Sequence, residues 1–106
     1  MKHCNLSETD RKKLNSYIGF ALRKRGAIIG VDGISAAKNI KTVIIDGNLR
    51  ENSRNKLQKA LSDGNVEIEI YELTDLGAFV GNPNVKAIGI TDKELGKVII
   101  ATLTKY

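Results

Sequence analysis

The 106 residues are enough for one domain with a modest single core, and 42% apolar with 27% charged residues argue against a disordered chain. The single cysteine, Cys4, excludes an intrachain disulfide and a CxxC zinc site, as suits a reducing compartment. The net charge of +5 is uneven: residues 1–60 hold 13 Lys and Arg against 5 Asp and Glu, whereas residues 61–106 hold 4 against 7. A basic half of this kind directs attention to nucleic acid, although scattered surface charge accounts for it about equally well.

In chain order, Ser7 with Asp10 three residues later predicts a helix start, and Leu14, Tyr17, Ile18, Ala21 and Leu22 follow at helical spacing. Arg23-Lys24-Arg25 close that helix against its negative end, with Gly26 as the residue just past it. Ala27-Ile28-Ile29 predicts a short buried strand. It empties through Gly30-Val31-Asp32-Gly33, a turn into a helix start whose backbone N–H groups can attract phosphate. From Gly30 to Ala37 there is room for only a turn or two of helix before the strand Thr42–Ile45.

The loop Asp46-Gly47-Asn48 leads to a helix with Leu57, Ala60 and Leu61 inward, ended by Gly64. Val66, Ile68 and Ile70 alternate with Glu67 and Glu69, which predicts an edge strand or one with a solvated face. Thr74 is placed as the cap of a short helix that stops at Gly81-Asn82-Pro83, and Ala87–Ile90 is the fourth strand. Thr91-Asp92-Lys93-Glu94 is a capping box, followed by Leu95, Val98, Ile99, Thr102 and Leu103 on one face. Five helices alternating with four strands predict an α/β fold. Its form is a three-layer α/β/α sandwich around a four-stranded, mostly parallel or mixed sheet, with residues 1–106 as a single domain.

The only histidine adjoins the only cysteine, at positions 3 and 4, on a terminus expected to fray, so neither a Cys/His catalyst nor a metal centre is expected. The glycines between Gly26 and Gly33 follow neither the dinucleotide fingerprint nor the P-loop pattern, which disfavours nucleotide hydrolysis. Glu67 and Glu69 are better explained by a solvated strand face than by acid/base chemistry. No enzyme activity and no cofactor are expected. No secretory h-region and no membrane-length apolar run occur, so a soluble, cytoplasmic protein is expected, monomeric by default. Arg50, Arg54, Lys56 and Lys59 on the third helix are ordinary solvated charges taken alone. RNA is favoured because Arg23-Lys24-Arg25 are expected near the same strand ends as Gly30-Val31-Asp32 and the Asp46 loop, where α/β sheets collect ligands.

With these segments placed, the chain resembles the ribosomal protein L-seven-Ae superfamily, which includes L-thirty-e and kink-turn RNA-binding proteins, and most of all its small bacterial members. The likeness runs from Leu14 to Leu103. It rests on Ile18-Gly19-Phe20-Ala21-Leu22-Arg23 leading to Ile28-Ile29-Gly30, and on Val43-Ile44-Ile45 followed by Asp46-Gly47-Asn48 and Glu51-Asn52-Ser53. Leu76-Gly77-Ala78-Phe79-Val80-Gly81 and Ala87-Ile88-Gly89-Ile90-Thr91-Asp92-Lys93 complete it. The resemblance implies noncatalytic binding of structured RNA, ribosomal or kink-turn-like, with the ribosome or other proteins as further partners. Matched from Gly30, Asp32 stands at the family's Asn position, Gly33 at its Glu position and Ala36 at its Lys position, so only Gly30 agrees outright. The expected contact surface is Lys24, Arg25, Gly30, Val31, Asp32, Ser35, Lys38, Asp46, Asn48 and Arg50, with Val80, Gly81 and Asn82 against an extruded base. The rival reading is a protein-interaction module docking through Val66–Tyr71 or Gly77–Val80.

Overall fold

A computed structural model describes residues 2–4, 6–63 and 68–104. The elements are β1 (Lys2–His3), α1 (Glu8–Arg23), β2 (Ala27–Ile29), α2 (Val31–Ala36) and β3 (Thr42–Asp46). They continue with α3 (Glu51–Asp63), β4 (Ile70–Leu73), α4 (Leu76–Val80), β5 (Ala87–Ile90) and α5 (Lys93–Leu103). One sheet runs β1-β4-β3-β5-β2. β4 is parallel to β1 and β3, while β5 is antiparallel to β3 and β2, so the sheet is mixed rather than mostly parallel.

Period-2 alternation along the strands divides the core in two. Ile44, Tyr71, Leu73, Ile88 and Ile90 face α1, α4 and α5, where Leu14, Ile18, Ala21, Leu76 and Ile99 meet them. Val43, Ile45, Ile70 and Ala87 face the other way, toward Ile34 of α2 and Leu57 of α3. The expected α/β/α layering follows, because β2, β3, β4 and β5 carry apolar side chains on both faces.

Several local expectations change. Cys4 is buried, its amide donates to the Glu72 carbonyl at 2.9 Å, and its thiol lies 3.6 Å from the Leu103 carbonyl, so this segment is a docked edge strand and not a frayed end. β4 therefore has neighbours on both sides and is not an edge; Val66 and Glu67 lie outside the described residues, as does Gly64. Ser7 caps α1 as expected, accepting from the Asp10 amide at 3.2 Å. At the other end Arg25, with φ 60°, takes the left-handed position assigned to Gly26. The Arg25 amide bonds the Leu22 carbonyl and the Gly26 amide bonds the Ala21 carbonyl, the paired bonds of a Schellman end. Gly26 is required for another reason: a Cβ there would stand 2.7 Å from Asp92 Cβ. Asp75, not Thr74, precedes α4, and Asp92 rather than Thr91 caps α5 by accepting from the Leu95 amide at 2.8 Å. Val98 is 40% exposed, off the buried face of α5.

Candidate nucleic-acid interface

Strand direction decides which candidate residues can act together. β1, β2, β3 and β4 all finish at one end of the sheet, where β5 begins; this is the carboxyl end. There the Gly30 amide bonds the Ala87 carbonyl at 3.0 Å and the Asp46 amide bonds the Lys86 carbonyl at 2.8 Å. Gly30 with Val31 and Asp32, the Asp46-Gly47-Asn48 turn, Arg50 and the Val80–Asn82 segment accordingly gather at this end, as expected.

Arg23, Lys24, Arg25 and Lys38 do not join them. They precede β2 and β3, so they sit at the opposite, amino end, separated from the Gly30 turn by the length of β2, about 10 Å. Backbone bonds draw that end together: the Thr91 and Asp92 amides both reach the Gly26 carbonyl, at 2.8 and 3.2 Å, and the Lys41 amide bonds the Ile90 carbonyl at 2.7 Å. Lys41 packs over Gly96 of α5, where a Cβ would be 3.0 Å from the Lys41 Cβ. Lys93 opens α5 beside Asp92.

Electrostatically the two ends differ. At the carboxyl end Arg11 pairs with Asp75 at 2.7 Å, Arg54 with Glu72 at 2.8 Å, Lys86 with Asp46 at 3.7 Å, and Lys56 with Asp32. Lys56 also holds the Asp32 carboxyl below its usual range by hydrogen bond and charge. Asp32, which the resemblance places in the contact surface, is thus already engaged. Asp46 is corrected outright as a contact residue: it is 2% exposed, and its carboxylate accepts the Asn48 amide at 2.8 Å and the Leu76 amide at 2.9 Å. It fastens the turn to the start of α4. Arg54 fastens the same turn from the other side, donating to the carbonyls of Leu49 at 2.9 Å and Gly47 at 2.9 Å. The Ser35 hydroxyl is buried and Val31 packs into the second core, so neither presents a contact group. Val80 packs on the first core, Gly81 takes the left-handed turn at φ 70°, and Asn82 accepts from the Asn84 amide at 2.9 Å. Asn48 and Arg50 remain exposed.

At the amino end Arg23, Lys24, Arg25, Lys38, Lys41 and Lys93 are all exposed, against Asp92, Glu94 and Glu69. Only Lys24 of these six has an ion pair among the described residues, to Asp92 at 2.7 Å. The Leu95 amide, then Lys24, holds the Asp92 carboxyl below its usual range. Lys41 and Lys93 were not singled out from sequence. Lys41 directly precedes the predicted strand Thr42–Ile45 and Lys93 lies in the capping box that follows the antiparallel β5, which is the signal that locates them at this end.

The aromatic side chains offer little stacking surface here. Phe79 is core, with the Arg11 guanidinium 4.8 Å from its ring centroid, whereas Phe20 is 51% exposed beside Arg23 and Lys24. Of the docking surfaces of the rival reading, the β4 edge at Tyr71 is paired with β1, Gly77 and Phe79 are buried, Glu69 and Ala78 are exposed, and Val66 and Glu67 lie outside the described residues. No described helix is long and apolar enough to cross a membrane.

No family model matches the chain, and no curated protein matches it. Among solved structures it is similar to a protein of unknown function from Bacillus halodurans, with 20% identity and a TM-score of 0.71 over 86% of this chain and 96% of that one. At that identity the likeness establishes a shared fold.

Proposed function

We propose that the protein binds structured RNA without catalysis, gripping phosphates through the amino end of its sheet. The observation that carries this reading is the contrast in pairing: of six exposed cations at that end only Lys24 has an ion pair among the described residues, whereas at the other end Arg11, Arg54, Lys56 and Lys86 each pair with an acid and Lys12, Lys13 and Arg50 do not. Unpaired cations on one surface release counterions from a nucleic-acid backbone, and the resulting affinity is steeply salt-dependent and insensitive to base sequence. The resemblance to the L-seven-Ae superfamily favours folded RNA as the polyanion. Gly33 and Ala36 at two signature positions, together with the engagement of Asp32 by Lys56, favour backbone grip over reading of sheared G·A pairs.

The test is a salt titration with a kink-turn stem, the same stem with its G·A pairs replaced, and a plain duplex. Affinities within about threefold of one another and a log–log salt slope of about −4 are expected. Binding absent at low salt contradicts the proposal, and a tenfold preference for the intact kink-turn moves recognition to the carboxyl end.

A further inference from the structure

β2 is an outer strand of the sheet, bonded on one side only. Its register with β5 pairs Ala27 with Ile90, Ile28 with Gly89 and Ile29 with Ile88. The flanking bonds, from the Thr91 amide to the Gly26 carbonyl and from the Gly30 amide to the Ala87 carbonyl, fix the alternation. The Gly26 carbonyl, Ile28 and the Gly30 amide face β5, so the N–H and C=O of Ala27 and Ile29 point outward. Among the described residues, two of the three exposed large apolar side chains lie near this margin: Ile29, 49% exposed, on the strand itself, and Phe20, whose ring is 5.7 Å from the Lys24 ammonium that reaches Asp92 beside Gly26.

We propose that this edge pairs with the same edge of a second copy, β2 antiparallel to β2 about a two-fold axis through Ile28. That register sets Ala27 opposite Ile29 of the second copy and the reverse, so all four outward backbone groups on each copy find partners at once. Each exposed Ile29 then lies beside the small Ala27 of the other copy, a fit between large and small side chains. The charges flanking the strand are self-complementary in the same register: Lys24 and Arg25 before it fall alongside Val31 and Asp32 after it. Lys24 then falls opposite Asp32 and Arg25 opposite Val31; Arg25 is exposed with no ion pair among the described residues, and Asp32, 89% exposed, holds Lys56 through Oδ1 alone. A parallel pairing would instead place Arg25 beside Arg25. This self-complementarity names a second copy of this chain as occupant rather than a foreign strand. Three residues make a small contact, so the association is weak and concentration-dependent. It replaces the monomer expected from composition.

The experiment is amide hydrogen exchange of the RNA-free protein at the top and bottom of a wide dilution series, with sedimentation velocity at the same concentrations. Association is expected, with the Ala27 and Ile29 amides slowing about tenfold as it proceeds and the Ile28 amide protected throughout. Ile29→Lys, checked for folding by circular dichroism, abolishes association. Arg25→Glu weakens it, and Arg25→Glu combined with Asp32→Lys restores it. A protein that stays monomeric at the highest concentration overturns the proposal. So does association that leaves the Ala27 and Ile29 amides as fast as in the dilute sample.

Discussion

The two ends of one five-stranded sheet have been put to different uses. At the carboxyl end polar groups are consumed internally: Asp46 and Arg54 lock the turn after β3, and Asp75, Glu72 and Asp32 occupy neighbouring cations. At the amino end most cations are left to solvent, and one of them, Arg25, sits in a backbone conformation that glycine adopts more readily. Charge density read along a sequence does not distinguish these cases. Pairing does, because a cation already bonded to a carboxylate has no counterion to release and little field to offer a phosphate.

The sharpest way to break the comparison is at Asp46. Asp46→Ala leaves the buried Leu76 amide and the part-buried Asn48 amide without their acceptor and is expected to destabilise the fold by about 3 kcal/mol in urea unfolding. A loss of under 1 kcal/mol would mean that the carboxyl end is not a structural lock. Next, Gly26→Ala forces a Cβ against Asp92 where β2, β5 and α1 converge, and is expected to cost about 2 kcal/mol with the same readout. Arg25→Gly works in the opposite direction. Relief of the left-handed conformation should stabilise the fold by about 0.5 kcal/mol, net of the greater freedom of glycine in the unfolded chain, while RNA affinity falls. Gain of stability with no loss of affinity would remove Arg25 from the interface.

The smallest expected effect is on pH dependence. The Asp92 carboxyl is held below its ordinary 3.8 by the Leu95 amide and Lys24, so the unfolded chain takes up the proton first on acidification. The resulting stabilisation is complete above the unfolded value and is lost as pH falls from about 3.8 through the folded value. In a carboxyl-carbon NMR titration, Lys24→Ala should return Asp92 part of the way toward 3.8 and leave Asp32 unmoved. Movement of both would show that the two ends are electrostatically one surface.

Much of this architecture was legible in the residues. Helical spacing at Leu14–Leu22 and at Ile99–Leu103, and β-branched runs at Thr42–Ile45, located elements that the structure keeps. What escaped has physical causes. β1 spans two residues, too short for any periodicity to show, and without it β4 looks like an edge. Asp46 follows a strand in an Asp-Gly-Asn turn typical of surface loops; only the arrival of Leu76, thirty residues on, buries it. Arg54 on α3 is indistinguishable in sequence from Arg50 just before that helix, yet one clamps a turn and the other is exposed. The grouping of Lys24, Arg25 and Lys38 with the Gly30 turn failed on direction alone, since a residue before a strand and a residue after it lie at opposite ends of the sheet.

Two charge-reversed variants test the central claim most directly, one at each end and with the same change in net charge. Arg25→Glu with Lys38→Glu alters the amino end, and Arg50→Glu with Lys56→Glu alters the carboxyl end. Their affinities for a plain RNA duplex are compared at low salt. The first pair is expected to lower affinity at least tenfold more than the second, about 1.4 kcal/mol, and to flatten the salt slope by about 2. Equal losses, or a larger loss from the carboxyl-end pair, would contradict it.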